Sequence, residues 1–311
     1  MAASFFKHII PNLISLSVFF LRTKLLRQKV PLLASFKLLY QCNLSCRVCP
    51  YHLRKNEENS CIDFDSAIKV LDHLKKLGCQ IIVFEGGEPL MWKDGTHSFS
   101  ELVSYAKEKF MCTAVTTNGT FMLDVPTDIV WVSIDGTREI HDGLRSESFD
   151  RVLENIRNTS HKKVFVHFTA NKTNHHDIEK LFIELNKTHN IKGITLQLVY
   201  PYNQGEEDLS LSYDERRAVI KKAIKLKKEG IPVLNSTSRL KAMIDNTWKC
   251  HDGILINVDP DASITSGCYV KNRGEVYCKD CGFTPVAEAS GALDLLPGSI
   301  LAGWKIFLKS Y

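Results

Sequence analysis

Three cysteines spaced C-x3-C-x2-C, Cys42, Cys46 and Cys49, follow directly on the apolar run Phe36–Tyr40. Thiolates are soft ligands suited to zinc and iron. Three are too few to close a structural zinc site and too many for one disulfide, so the set points to a metal centre that keeps one position open. A second set, Cys250, Cys268, Cys278 and Cys281, is spaced C-x17-C-x9-C-x2-C. Four thiolates with a closing C-x2-C form a complete tetrahedral set, which suits a zinc ion or an iron–sulfur cluster equally well. Cys61, Cys79 and Cys112 stand apart from both sets. Cys79 and Cys112 read as core thiols and Cys61 as an exposed one.

The chain that must position these thiols has 311 residues, 44% hydrophobic content and a net charge of +5. That is enough for one large domain, or for a large one with a small appendage. The mixed charge gives no basis for a nucleic-acid partner. A secreted disulfide scaffold fits poorly, because the middle of the chain alternates strand-like and helix-like segments and needs no staples. Clustered thiols in a reducing, cytoplasmic setting point to metal instead.

From Phe36 to Gly230 six apolar segments read as strands: Lys37–Tyr40, Gln80–Phe84, Cys112–Thr117, Ile129–Ile134, Lys163–Thr169 and Gly193–Val199. Amphipathic helices are predicted over Asp65–Leu77, Ser98–Phe110, Phe149–Asn158, Asp177–Lys187 and Tyr213–Glu229. Apolar strands alternating with helices imply a parallel α/β sheet. The span is short for an eightfold barrel, so the expectation is a partial (β/α)6 TIM-like barrel over 36–230 with a small cysteine-rich C-terminal extension over 231–311. In such folds ligands sit at the C-terminal ends of the strands, where the first cysteine set lies. Later strand ends are polar and glycine-rich: Gly86-Gly87-Glu88-Pro89, Thr116-Thr117-Asn118-Gly119, and Ser133-Ile134-Asp135-Gly136 with Glu139, His141, Asp142 and Arg145 beyond.

In this order the motifs resemble the radical S-adenosylmethionine (SAM) superfamily, and within it the members with an auxiliary-cluster segment of SPASM or twitch type. The resemblance runs from about Phe36 to Val199. It implies that Cys42, Cys46 and Cys49 hold a [4Fe–4S] cluster whose fourth iron binds SAM. Gly86, Gly87 and Glu88, with Pro89 closing the motif, are then expected at the SAM ammonium, and Ser133 and Arg145 at its carboxylate, with Asp135 beside them. Asn118 is expected as a wall of the pocket, and Gln197 and Asn171 as ribose or substrate contacts. An electron donor such as a flavodoxin or ferredoxin is implied. For the C-terminal set the resemblance favours a second [4Fe–4S] cluster over zinc. In one departure the residue before the third cysteine, usually aromatic in this family, is Val48.

The ends of the chain bear on the substrate. The uncharged run His8–Leu21 is too short to span a bilayer, and Arg22, Lys24, Arg27 and Lys29 follow it. Ile14, Val18, Leu21 and Leu25 share one helical face, which suits either a helix on an anionic membrane surface or one packed on the protein's own body. A helix over 285–311 is expected to close the barrel or to offer an apolar surface. The segments Gly267-Cys268-Tyr269, Cys278–Phe283 and Ala287-Glu-Ala289 resemble the end of radical SAM enzymes that act on hopanoid lipids. Radical modification of a lipid or isoprenoid is therefore the first expectation, modification of a ribosomal peptide or protein the second, and a non-catalytic cysteine–zinc module the third.

Overall fold

Alternating inward and outward side chains set the architecture. The computed structural model describes residues 2–47, 49, 51, 54–202, 207–271 and 275–311, with side chains from Ile10 onward. Six strands run parallel: β1 (Leu33–Leu39), β2 (Ile81–Gly86), β3 (Cys112–Thr117), β4 (Ile129–Ser133), β5 (Val164–Ala170) and β6 (Ile191–Leu198). On their outward face Phe36, Phe84, Val115, Val132 and Val166 are buried beneath the helices. On the inward face Leu33, Val83, Ala114, Trp131 and Phe165 form a second apolar cluster. The fold is the partial barrel that the alternation predicts.

The covering helices are α2 (Phe64–Leu77), α3 (Phe99–Lys107), α5 (Phe149–Asn158), α6 (Ile178–Asn186) and α7 (Tyr213–Lys228). Local chemistry fixes their ends. Asp63 caps α2 by accepting from the Ser66 amide, and Ser98 and Ser212 form capping boxes with Glu101 and Glu215. Two short helices not predicted from the sequence are α4 (Arg138–Leu144), which follows β4, and α8 (Thr237–Ala242), which opens the C-terminal segment.

The C-terminal segment is not an appendage. Its strand β7 (Leu255–Val258) pairs in parallel with β1, Leu33 opposite Leu255 and Phe36 opposite Val258. Strand β8 (Ile264–Ser266) returns antiparallel, giving the sheet order β8-β7-β1-β2-β3-β4-β5-β6. Strands β7 and β8 form a hairpin whose turn is closed by the Asp259 amide donating to Ser263 O at 3.1 Å. The sheet crosses both boundaries expected at 35/36 and 230/231. The physical reason is the open edge of β1, whose unpaired backbone groups β7 satisfies.

Two helical pieces cover the lumen side. Helix α1 (Ala2–Phe20) continues into a π turn, Leu21–Leu25. It buries Phe19, while Ile14, Val18, Leu21 and Leu25 are all exposed, the last two at the mouth of the lumen. The single C-terminal helix expected is a pair, α9 (Thr284–Leu293) and α10 (Pro297–Gly303), the latter running into a π turn, Trp304–Leu308, with a bend of 120° between them. Among the described residues no single helix is long and apolar enough to cross a membrane.

Candidate active site

The loop that follows β1 carries the first cysteine set to the rim of the lumen. Cys46 is buried and Cys42 and Cys49 are half-buried, and all three line one end of a cavity of about 970 Å³. Donors converge on their sulfurs. The Leu44 amide lies 3.4 Å from Cys42 Sγ, the Tyr51 amide 3.4 Å from Cys49 Sγ, and Asn118 Nδ2 3.6 Å from Cys42 Sγ. Arg145 Nη1 is 4.0 Å from Cys46 Sγ. Burial raises the Cys42 and Cys46 thiols above their ordinary range, so a bound metal is what would hold them as thiolates. A pocket with one open side and N–H donors aimed at sulfur fits an iron–sulfur cluster with a free position. The thiols line a cavity wall and do not close a shell around one ion. Among the described residues no three or more His, Cys, Asp or Glu side chains form a single-ion site.

Gly86 and Gly87 also line this end of the cavity. Their small size serves the cysteine loop first. A Cβ on Gly86, whose φ is +127°, would sit 2.3 Å from Leu39 O, and one on Gly87 would sit 2.0 Å from Gln41 O. The Gly87 amide donates to Leu39 O at 2.7 Å and the Glu88 amide to Gln41 O at 2.9 Å. The close approach expected toward a ligand is therefore also an approach to the backbone leading into Cys42.

Glu88 differs from the expectation of an ammonium ligand. It is fully buried, and its carboxylate accepts from Thr117 Oγ1 at 2.7 Å, the Asn118 amide at 2.8 Å and the Leu90 amide at 3.0 Å. Burial nevertheless pushes its pKa up to about 7. The strand alternation lapses after Gly86, and the side chain turns into the wall to tie the second strand end to the third. Pro89 is likewise buried, opening a short 3-10 turn behind the cavity. Asn118 does line the cavity, and its Nδ2 donates to Asn43 Oδ1 at 2.8 Å, so it braces the cysteine loop.

Ser133 and Arg145 both face the cavity, as expected of a pair at one ligand group. Asp135 does not. It is buried behind Arg145, accepting from Arg145 Nε at 2.5 Å and from the Thr169 amide at 2.9 Å. Burial opposes the guanidinium charge, and Asp135 and the thiols override it, so the Arg145 pKa is raised. His141 supports the same loop. Its Nδ1 accepts from the Asp135 amide at 3.2 Å, and its Nε2 meets Ser148 Oγ at 3.1 Å. Burial and Arg145 lower its pKa to about 4, which keeps it neutral. Gln197 lines the cavity from β6, whereas Asn171 is buried in a loop where its Oδ1 accepts from the Thr173 amide. Val48 lies outside the described residues.

Sequence reasoning missed several lumen residues. His167 on β5 lines the cavity with Nδ1 3.0 Å from Thr195 Oγ1, and burial lowers its pKa to about 4. It pairs in register with Ser133, which was the signal available. Trp131, Tyr200 and Tyr269 line the same space, and the Trp131 indole N–H has no acceptor among the described residues. Beyond them the cavity becomes apolar. It ends among Leu13, Phe20 and Leu25 on one side and Leu293, Trp304 and Phe307 on the other.

The second cysteine set lies beside this lumen and nearer solvent. Cys250 and Cys278 are exposed, and Cys268 and Cys281 half-buried. Each of the other three thiols bears electrostatically on Cys250, so the four share one neighbourhood. Burial pushes Cys281 up to about 11, with Cys268 and Cys278 adding to the rise. Polar side chains fix the loops. Arg216 Nη2 donates to Cys281 O at 2.6 Å, Asn246 Nδ2 to Lys279 O at 2.6 Å, and Asn257 Nδ2 to Gly267 O at 2.9 Å. The four thiols share one neighbourhood but, like the first set, do not close a shell around a single ion. Cys79 and Cys112 are buried in the core, and Cys61 is exposed.

The radical SAM superfamily profile matches residues 37–185, the stretch that carries all the strand-end motifs. The Fe-coproporphyrin III synthase of Methanosarcina barkeri is 33% identical over 210 residues, covering 62% of this chain and 51% of that protein. The AdoMet-dependent heme synthase of the same organism is 26% identical over 282 residues, covering 82% and 78%. A crystal structure of Streptococcus suis SuiB bound to precursor peptide SuiA superposes with a TM-score of 0.63 at 13% identity, over 89% of this chain and 65% of that one. The chain carries a radical SAM superfamily domain over residues 37–185. Such a domain implies a [4Fe–4S] cluster and SAM. The chain spans about half the length of the coproporphyrin synthase.

Proposed function

We propose that the chain reductively cleaves SAM at the Cys42–Cys46–Cys49 rim and turns the resulting radical on an unactivated carbon of an apolar substrate, a lipid or isoprenoid, held in the lumen. The observation that carries this reading is the single cavity running from the three thiols to the apolar residues of α1 and the C-terminal helices. When bound, the cluster and SAM supply an electron and a sulfonium C–S bond, whose cleavage gives methionine and a 5′-deoxyadenosyl radical. The protein positions and shields. Arg145, held by Asp135, would offer a planar fork to the SAM carboxylate with Ser133 alongside. The Gly86–Gly87 backbone would receive the ammonium, and Asn118 and Gln197 would wall the site. The apolar lumen keeps water from the radical. Cys250, Cys268, Cys278 and Cys281 would hold an auxiliary [4Fe–4S] cluster, with zinc the alternative, and a flavodoxin or ferredoxin would supply electrons.

A second reading keeps the chemistry and changes the substrate to a tetrapyrrole or a peptide. It is favoured by the names of the two synthases and by the peptide complex of SuiB. The test is anaerobic reconstitution with iron and sulfide, reduction in the presence of SAM, and assay for 5′-deoxyadenosine, with Cys42→Ala as control. About eight irons would mean two clusters, and about four irons plus zinc would make the second set a structural clip. Isoprenoid lipids, iron coproporphyrin and a precursor peptide are then offered in parallel, and mass spectrometry finds which one changes. Absence of both iron and deoxyadenosine under anaerobic conditions would sink the proposal and leave a zinc-binding module.

A further inference from the structure

We infer that α1 with its π turn and α10 with its π turn together form a docking face for an anionic lipid bilayer, and that the apolar mouth of the lumen opens into that face. The inference rests on the apolar-substrate reading above only for its second half.

Surface apolar residues are normally scattered singly. Here eleven of the eighteen large exposed hydrophobic side chains among the described residues fall on Ile10–Leu26 and Leu295–Trp304. Leu25 is 73% exposed, Leu295 63%, Ile14 59% and Leu301 51%. The two segments are neighbours in space. Lys24 Nζ meets Asp294 Oδ1 at 2.9 Å, and Leu21 and Leu25 line the same cavity end as Leu295 and Trp304. They make one patch around one opening.

Charge selects the partner. The first 56 residues contain no Asp or Glu, while Lys7, Arg22, Lys24, Arg27 and Lys29 lie among them. Residues 295–311 carry Lys305 and Lys309 and again no acid. Arg27 and Lys29 are exposed beside the apolar face. A protein with 35 acidic residues has thus kept them off both segments that expose apolar side chains, apart from Asp294 at the edge of the second, which is paired with Lys24. Apolar side chains ringed by cations match the interface of an anionic leaflet, where cations meet headgroups and apolar groups enter the acyl boundary. No single described helix is long and apolar enough to cross, and the C-terminal pair, which together has the length, is bent by 120°. Exposed apolar side chains bordered by cations suit helices lying on the membrane. An apolar substrate then reaches the lumen laterally from the lipid, while the cofactor rim opens at the other end of the strands.

The test is flotation of the full chain with phosphatidylcholine vesicles, with and without phosphatidylglycerol, without SAM turnover. The protein should float with the anionic vesicles and be released by salt. The variant I14E/V18E/L301E, whose three side chains are outside the cavity lining, should bind roughly tenfold or more weakly. It should keep the wild-type melting curve and deoxyadenosine formation. Brominated lipid should quench tryptophan emission more strongly in wild type than in Trp304→Phe, since Trp92 and Trp131 are buried and the half-buried Trp248 is held by Asn246 beside the second cysteine set. Failure to float, or equal flotation of the triple variant, would overturn the inference. So would a wild-type dimer that the same three substitutions dissociate, because the face would then be an interface between two copies. Flotation without deoxyadenosine would sink only the radical reading, and deoxyadenosine without flotation only this one.

Discussion

Replacing Gly87 by alanine should disable the cysteine loop without touching a cysteine. The added Cβ would lie 2.0 Å from Gln41 O and 2.6 Å from both Gln41 C and Tyr40 O. That is more than about 1 Å inside ordinary contact, and the neighbours are backbone atoms that cannot rotate away. The 39–41 segment must retreat, weakening the Gly87 amide bond to Leu39 O and the Glu88 amide bond to Gln41 O. Overpacking costs roughly 1–3 kcal/mol and each lost hydrogen bond about 1 kcal/mol, so destabilisation of roughly 3–5 kcal/mol is expected. At about 2 °C per kcal/mol for a chain of this size, the melting temperature should fall by roughly 6–10 °C. Because Cys42 follows Gln41 directly, reconstituted iron and deoxyadenosine yield should fall with it. Gly143→Ala is the control, since a Cβ there meets nothing within 4 Å. Scanning calorimetry of the metal-free chain and iron analysis of the reconstituted one read the two effects separately. Wild-type stability and iron content in Gly87→Ala would refute the account of the loop.

Three further outcomes follow from the same wall. Asp135→Asn leaves the Arg145 guanidinium without its buried carboxylate, which should cost roughly 2–4 kcal/mol of stability and weaken SAM binding at least about tenfold; an unchanged SAM Kd by equilibrium dialysis would contradict the positioning role. Glu88 has its pKa raised from 4.5 to about 7, so between those values the folded chain holds a proton that the unfolded chain has lost, and stability from this group declines as pH rises, by about 3 kcal/mol in all. His141 and His167, lowered from 6.5 to about 4, act in the opposite sense, losing stability as pH falls through that window. Glu88→Gln should therefore make the urea stability of the metal-free chain rise more steeply over this range, and identical slopes in both proteins would exclude the assignment. Arg216→Met removes the grip on Cys281 O and should lower metal at the C-terminal set while deoxyadenosine formation persists; full metal content would show the clamp to be dispensable.

The barrel was legible because its six strands are apolar on the face the helices cover and at the start of the inward one, and its helices carry their own caps, such as Ser212 with Glu215. The rim was legible because the motifs fall at strand ends, where topology gathers them. What local pattern could not give is pairing between distant segments. Leu255–Val258 is four apolar residues, and nothing near it says that it lies parallel to β1, more than two hundred residues earlier. Nor could it give side-chain direction once a strand has ended. Glu88 and Asp135 sit in the right motifs, yet both turn behind the wall, because buried donors at Thr117, Asn118 and Thr169 and the Arg145 guanidinium need an acceptor there.

The strands also carry a gradient that the motifs alone conceal. Along the inward positions β1 runs from Leu33 through Ser35 to Lys37, β2 from Ile81 through Val83 to Glu85, and β5 from Phe165 through His167 to Thr169. Each passes from apolar to polar in the chain direction, and parallel pairing keeps the gradients in phase, with Leu33 beside Ile81 and Lys37 beside Glu85. One sheet therefore has a dry end and a wet end. A charged cofactor is stable only at the wet end, where buried ions find partners, and a carbon-rich substrate only at the dry one. On the apolar-substrate proposal the reacting carbon would meet the radical midway, at the height of Trp131 and His167, and these two side chains are where substitutions should change which carbon reacts while leaving SAM cleavage intact.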